Sequence, residues 1–183
     1  VEIPDSNFLS FSPDSPESSV LELTLTNSVD SRIELGGLMF LSQLSAVLNE
    51  RWYESPIFVD DVAFVVKRRG SEVEIKEINL VSRGRMAIRG SLSNGKGGAI
   101  SGILRIGLPE TTVSAAENKR LNRLFGPTHE GYRWLDVKVG GTSAMPKDNF
   151  KELYTKAAEA PAEESKDPDD NPDNFEYLIE GGE

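Results

Sequence analysis

Apolar residues recur with a period of two through most of this chain and with a period of three to four in a few stretches. The switches between the two periods divide it into elements. Leu21, Leu23 and Leu25 alternate with Glu22, Thr24 and Thr26, the pattern of a half-buried strand, and residues 27–30 supply the break. Over residues 37–52 the spacing changes, with Leu38, Leu41, Leu44 and Leu48 recurring every three or four positions beside Phe40 and Val47. That stripe predicts an amphipathic helix with Pro56 in its end region. Residues 57–67 form a β-branched and aromatic run, and Arg69-Gly70-Ser71 reads as a turn.

In the following strand, residues 72–81, the apolar phase slips from Val73 and Ile75 to Ile78 and Leu80. A slip of one residue would turn one apolar pair outward, so a β-bulge is expected near Lys76 and Glu77. Met86, Ile88 and Leu92 then alternate with Arg85, Arg89 and Ser91. After the turn Asn94-Gly95-Lys96-Gly97-Gly98, Ile100, Leu104, Ile106 and Leu108 alternate with Ser101, Ile103 and Arg105. Four successive strands with short turns make an antiparallel meander with one apolar and one wet face. Pro109 stops the last of them. Ser114 and Glu117 have capping-box spacing and predict a second helix carrying Val113, Ala116, Leu121 and Leu124, ended by Gly126-Pro127. Residues 132–139 form another strand, with Leu135, Val137 and Val139 on one side and Tyr132 and Trp134 on the other. Asp148 or a near neighbour is placed to cap a third helix through Ala158.

These elements assemble most economically as an α+β domain: a curved antiparallel sheet, a four-strand meander plus flanking strands, packed against two or three helices. Residues 20–159 form this single domain. Residues 1–19, with Pro4, Pro13, Pro16 and many serines, read as an extended lead-in rather than an element. Residues 160–183 read as an acidic disordered tail, interrupted by Phe175, Tyr177, Leu178 and Ile179.

Composition narrows the class. The chain of 183 residues has 38% hydrophobic residues, enough for a core without metal or disulfide, and no cysteine, which excludes disulfide scaffolds and thiolate-held metals. The net charge is −10, yet residues 160–183 hold nine acids against the single base Lys166, leaving the domain near neutral. Neither part offers the clustered positive charge that nucleic acid requires.

Candidate chemistry is sparse. His129, the only histidine, is expected in a loop between Gly126-Pro127 and Gly131, with no matched nucleophile. Asp60 and Asp61 are adjacent, so on a strand they point to opposite faces and form no carboxylate pair; one of them is expected to bend a strand or end a ladder. Gly95-Lys96-Gly97-Gly98 precedes a strand rather than a helix and reads as a hairpin turn, not a phosphate loop. Asp167-Pro168-Asp169-Asp170-Asn171 lacks the glycine and final glutamate of a calcium loop. No catalytic residue, metal site or cofactor is expected. Lys67, Arg68 and Arg69 with Arg83, Arg85, Arg89 and Arg105 hold more interest. Arg85, Arg89 and Arg105 share the polar face of neighbouring strands, where guanidinium groups either grip phosphate headgroups or form a solvated face paired with Glu72, Glu74 and Glu77.

Residues 74–92, with the Ser82-Arg83-Gly84 turn and a strand reaching Gly90, together with the return strand of residues 99–109 to Leu108-Pro109, resemble the C-terminal repeats of AsmA-like proteins. Residues 128–142, a tyrosine-and-tryptophan strand leading into Gly140-Gly141, and the helix start at Pro146, Asp148 and Phe150 are similar to that region's closing segment. The resemblance spans residues 33–158, one block of the repeated pattern. It implies an exported envelope protein of diderm bacteria, periplasmic and anchored through a segment outside this chain, whose sheet forms an apolar groove linked to outer-membrane assembly and phospholipid movement. The family contributes no catalytic residues.

On that basis Met86, Ile88, Leu92, Ile100, Leu104 and Ile106 are candidates to line an acyl-chain groove, with Arg85, Arg89 and Arg105 near headgroups. The stripe of Leu38, Leu41, Leu44 and Leu48 offers a cover that would instead make the same face a filled core. The expected function is therefore a non-enzymatic envelope protein in outer-membrane biogenesis or lipid handling, with a phospholipid or envelope protein as partner. The alternative is a structural or interaction subunit at the cell surface, pilin-like or sandwich-type, assembling through strand edges. A hydrolase stands third and needs a cleft carboxylate pair.

Overall fold

The structure, a computed structural model, describes residues 8–10, 20–26, 32–116 and 118–159. Eight strands follow one another in a curved antiparallel sheet and a ninth pairs beside them. In spatial order they are β1 (Phe8–Ser10), β2 (Val20–Thr26), β5 (Asp61–Arg69), β6 (Glu72–Ser82), β7 (Met86–Asn94), β8 (Ile100–Pro109), β10 (Tyr132–Gly141) and β11 (Pro146–Asp148). The ninth, β9 (Thr128–His129), pairs with the start of β10, while β3 (Ile33–Glu34) and β4 (Ile57–Phe58) form a separate two-stranded ladder. The α+β class and the meander expected from the alternation are both present.

The bulge sits where the apolar phase slips. The β6–β7 register jumps between Ile75 and Ile78, and Glu77 takes φ +52°. Two residues thus oppose one partner, and Ile75, Ile78 and Leu80 all face inward. Across from this point Gly90 has φ +140°, and a Cβ there would lie 2.1 Å from the Ile103 carbonyl oxygen, so only glycine fits the bend. Bulge and glycine together curve the sheet.

Three local departures have physical causes. The helix expected over residues 37–52 closes earlier, as α1 (Met39–Leu48), because Asn49 adopts a left-handed conformation at φ 52°; Arg51–Glu54 then form a separate tight 3₁₀ turn. The run of residues 57–67 is split into β4 and β5 at Val59 and Asp60, where the Asp60 carboxylate accepts the Arg83 amide at 2.7 Å and bends the chain. The capping-box expectation fails: Ser114 lies inside α2 (Glu110–Ala115), and the next helix, α3 (Lys119–Leu124), is capped by Asn118, whose Oδ1 accepts the amides of Arg120 and Leu121. Phe8–Ser10, read as lead-in, pairs as β1 with β2. The remaining lead-in residues and the tail lie outside the described residues.

The last helix among the described residues, α4 (Phe150–Glu159), begins where Asp148 was expected to cap it, with Oδ1 accepting the Phe150 amide at 3.1 Å. The same carboxylate's Oδ2 accepts the Phe40 amide at 2.8 Å, in the first turn of α1, whose own N-cap Leu38 has no capping side chain. One acid therefore satisfies orphan donors of two helices, at the end where their dipoles favour negative charge. The core lies between the concave sheet face and the helices: Phe40, Leu41 and Leu44 of α1, Val113, Leu121 and Phe150 of the others, Tyr53, and the inward residues of β5 to β10.

Candidate functional site

The concave face has two halves. Beneath the helices, Met86, Ile88, Leu104 and Ile106 are buried and belong to the same core as Phe40, Leu41 and Leu44. These four candidates fill a core and do not line an open groove, because α1 and the later helices cover them. Leu92 and Ile100, further along the same two strands, are half-buried at its rim.

Beyond that rim the register builds an unbroken transverse row. Leu23 of β2 lies opposite Val66 of β5, Val66 opposite Ile75 of β6, Ile75 opposite Leu92 of β7, and Leu92 opposite Gly102 of β8. All five are half-buried. Crossing five strands at about 4.8 Å per spacing, the row is about 19 Å long. Along β5 the inward residues grade from the core outward: Val62 buried, Phe64 and Val66 half-buried, Arg68 exposed. An apolar trough thus runs across the strands, with the filled core on one side. On its other side stands a row that contains Arg68 and Asn94, level with Leu21, Val73 and Ile100. Chemically it offers dispersion and area burial, and no acid–base or nucleophilic group.

The three candidate headgroup arginines do not form one row. Arg85 lies in the β6–β7 turn, where it pairs with Glu50 at 2.8 Å and sits 5.0 Å from the Trp52 ring. Arg89 and Arg105 do face each other across β7 and β8, as the alternation predicts, on the convex side. They lie 4.9 and 5.7 Å from the Trp134 ring. Arg89 is paired with Glu130 at 2.8 Å and Arg105 with Asp136 at 3.5 Å. Trp134 packs on Gly107, where a Cβ would come within 2.7 Å of the indole, and its Nε1 donates to the His129 carbonyl at 3.0 Å. The expected partners Glu72, Glu74 and Glu77 take no part in these pairs. Glu74 instead meets Lys76 at 2.7 Å, and that hydrogen bond and positive charge lower its pKa. A convex aromatic–guanidinium cluster, internally neutralised, replaces the expected headgroup grip.

The remaining sequence candidates take structural places. His129 is exposed in β9. Asp61 accepts from the Asn79 side chain while Asp60 holds the Arg83 amide, so the adjacent acids serve different neighbours. Gly95 to Gly98 turn the chain from β7 into β8, as read from the sequence, and the Asp167 to Asn171 segment lies outside the described residues. Two residues that pattern reasoning missed organise the covered end. Arg133 reaches inward from β10, donating to the Asn122 side chain at 2.8 Å, to the Gly126 carbonyl at 2.9 Å and to the carbonyls of Asn122 and Phe125, which fastens the end of α3 to the sheet. Tyr53 is buried with its hydroxyl donating to the Arg85 carbonyl at 3.3 Å; burial, then the Glu50 charge, push its pKa upward, against a hydrogen bond with Thr112 and the Arg85 charge. A polar residue in an amphipathic stretch gives no sequence signal for either role.

Among the described residues no group of three or more His, Cys, Asp or Glu could hold a metal ion, and no helix is long and apolar enough to cross a membrane. Comparison with protein-family models, with curated proteins and with solved structures finds no match to this chain.

Proposed function

We propose that this chain is a non-enzymatic, AsmA-like module of the bacterial envelope that shelters an acyl chain in outer-membrane biogenesis or lipid handling. The observation that carries the reading is the transverse row Leu23, Val66, Ile75 and Leu92, continuous across neighbouring strands, half-buried and bordered by the core. A chain laid in this trough removes apolar area from water at about 25 cal/mol per Å², and needs no directional bond. The binding residues in this reading are Leu92 and Ile100 from the earlier set, joined by Leu23, Phe64, Val66 and Ile75. Met86, Ile88, Leu104 and Ile106 serve as the rigid floor behind them.

The test is titration of the purified chain with a fluorescent fatty-acid analogue, alongside native mass spectrometry of protein taken from membranes. Saturable binding is expected, with loss in Val66→Asp while the circular dichroism spectrum is kept. Absence of both probe binding and co-purifying lipid would overturn the reading. The assembly-subunit alternative gains little from β1 and β11, the outermost strands among the described residues, each three residues long, since short edges resist edge-to-edge pairing.

A further inference from the structure

An antiparallel meander sends alternate turns to the same end of the sheet, and here that end differs in character from the rest of the molecule. The turns β5–β6, β7–β8 and β10–β11 lie together: Val73 is level with Asn94, Asn94 with Ile100, and Ala99 bridges Thr142. The Ser143 amide donates to the Gly98 carbonyl at 2.8 Å, joining two of the turns directly. The connections bearing α1, α2 and α3 leave from the opposite end.

At the turn end stand Arg68, Arg69 and Lys147, all exposed, and among the described residues none of the three has a carboxylate within ion-pair distance. This contrasts with Arg85, Arg89 and Arg105, each held by its own acid. In the β10–β11 turn beside Lys147 stands Met145, 69% exposed and the most exposed large apolar side chain described. The apolar trough lies one row behind Arg68. Glu72, across the ladder from Arg69, and Glu74 also stand here, against Lys67, Arg68, Arg69 and Lys147, so in a chain of net charge −10 this end presents an excess of positive charge beside bare apolar surface.

We propose that the turn end docks on an anionic lipid bilayer, with the three cations at the headgroups, Met145 at the acyl boundary and the trough opening toward the membrane. Long basic side chains can keep their charges among phosphates while their stems lie on apolar surface. A nucleic acid would match the cations but would leave Met145 and the trough unused, which is why a bilayer fits better. The inference extends the acyl-shelter reading but rests on other residues, so the two can fail separately.

The experiment is flotation of the full chain with vesicles of phosphatidylcholine, with and without phosphatidylglycerol, at low and high salt. Binding is expected only with phosphatidylglycerol and should weaken as salt rises. Substituting Arg68→Ala, Arg69→Ala and Lys147→Ala together should weaken it about a hundredfold, and Met145→Gln about fivefold, with thermal melts unchanged. Val66→Asn, which adds no charge beside Arg68, should abolish acyl uptake and leave flotation intact, which separates failure of the trough from failure of the docking end. Equal binding to both vesicle types, no flotation of the intact chain, indifference to the triple substitution, or retention on heparin through these residues without vesicle binding would each overturn the proposal.

Discussion

On β7 and β8, Ile88, Leu104 and Ile106 are buried in the core shared with the helices, whereas Leu92 and Ile100, on the same strands and the same face, stay half-buried. The side chains are of one kind and share one face of the two strands by the same alternation. The difference comes from the cover: α1 and the later helices reach over one end of the concave face only. Burial on a sheet is thus set by the layer opposite, and the alternation alone marks which face is apolar, not how much of it is closed.

The sharpest way to break this comparison is to truncate one leucine from each region. Leu104→Ala should cost about 3 kcal/mol in urea denaturation, through lost burial and an unfilled cavity, while Leu23→Ala should cost about 1 kcal/mol or less because its site is already open to water. Equal costs would mean that the trough is as closed as the core. Next in size is the cover's attachment. Asp148→Ala removes the acceptor of two helix amides and should cost about 2 kcal/mol, with Asp148→Asn recovering part of it. Arg133→Lys should cost about 2 kcal/mol, since an ammonium cannot reproduce the guanidinium's several directed bonds to the end of α3.

The smallest expected effect is at high pH. Tyr53 has its pKa raised in the fold, so the unfolded chain ionises first, and the stabilisation present below pH about 10 is lost as pH rises toward the folded value. Alkaline melts of Tyr53→Phe should therefore fall less steeply than those of the parent; parallel curves would show that the phenol is not held neutral by the covered end.

How much of this was legible in the sequence follows the range of the interactions involved. The period-two runs mark β5 to β8 and β10, and the slip at Lys76 and Glu77 marks the bulge, because strand alternation is local. Asp148 announced the start of α4 by proximity but not its bond to Phe40, which lies 108 residues away. Arg89 and Arg105 were correctly placed on one face, yet their acids come from the β9–β10 turn and β10, partners fixed by register and invisible to a pattern along one strand. The short strands β1, β4, β9 and β11 escape periodicity altogether, since two or three residues define no period. For the functional surface, the apolar face was legible and its division was not. The residues that line the trough, Leu23, Val66 and Ile75, became a row only when five strands were set in register.

The doubly used carboxylate of Asp148 also places a constraint on time. Helix α1 leaves the ribosome long before residue 148 is synthesised, and at ordinary elongation rates the wait is about 5–20 s. During that interval its first turn lacks the acceptor it uses in the finished domain, and most of the strands that will receive its apolar stripe are still being made. The chain is therefore born with its lid ahead of its box, and β11 supplies the latch.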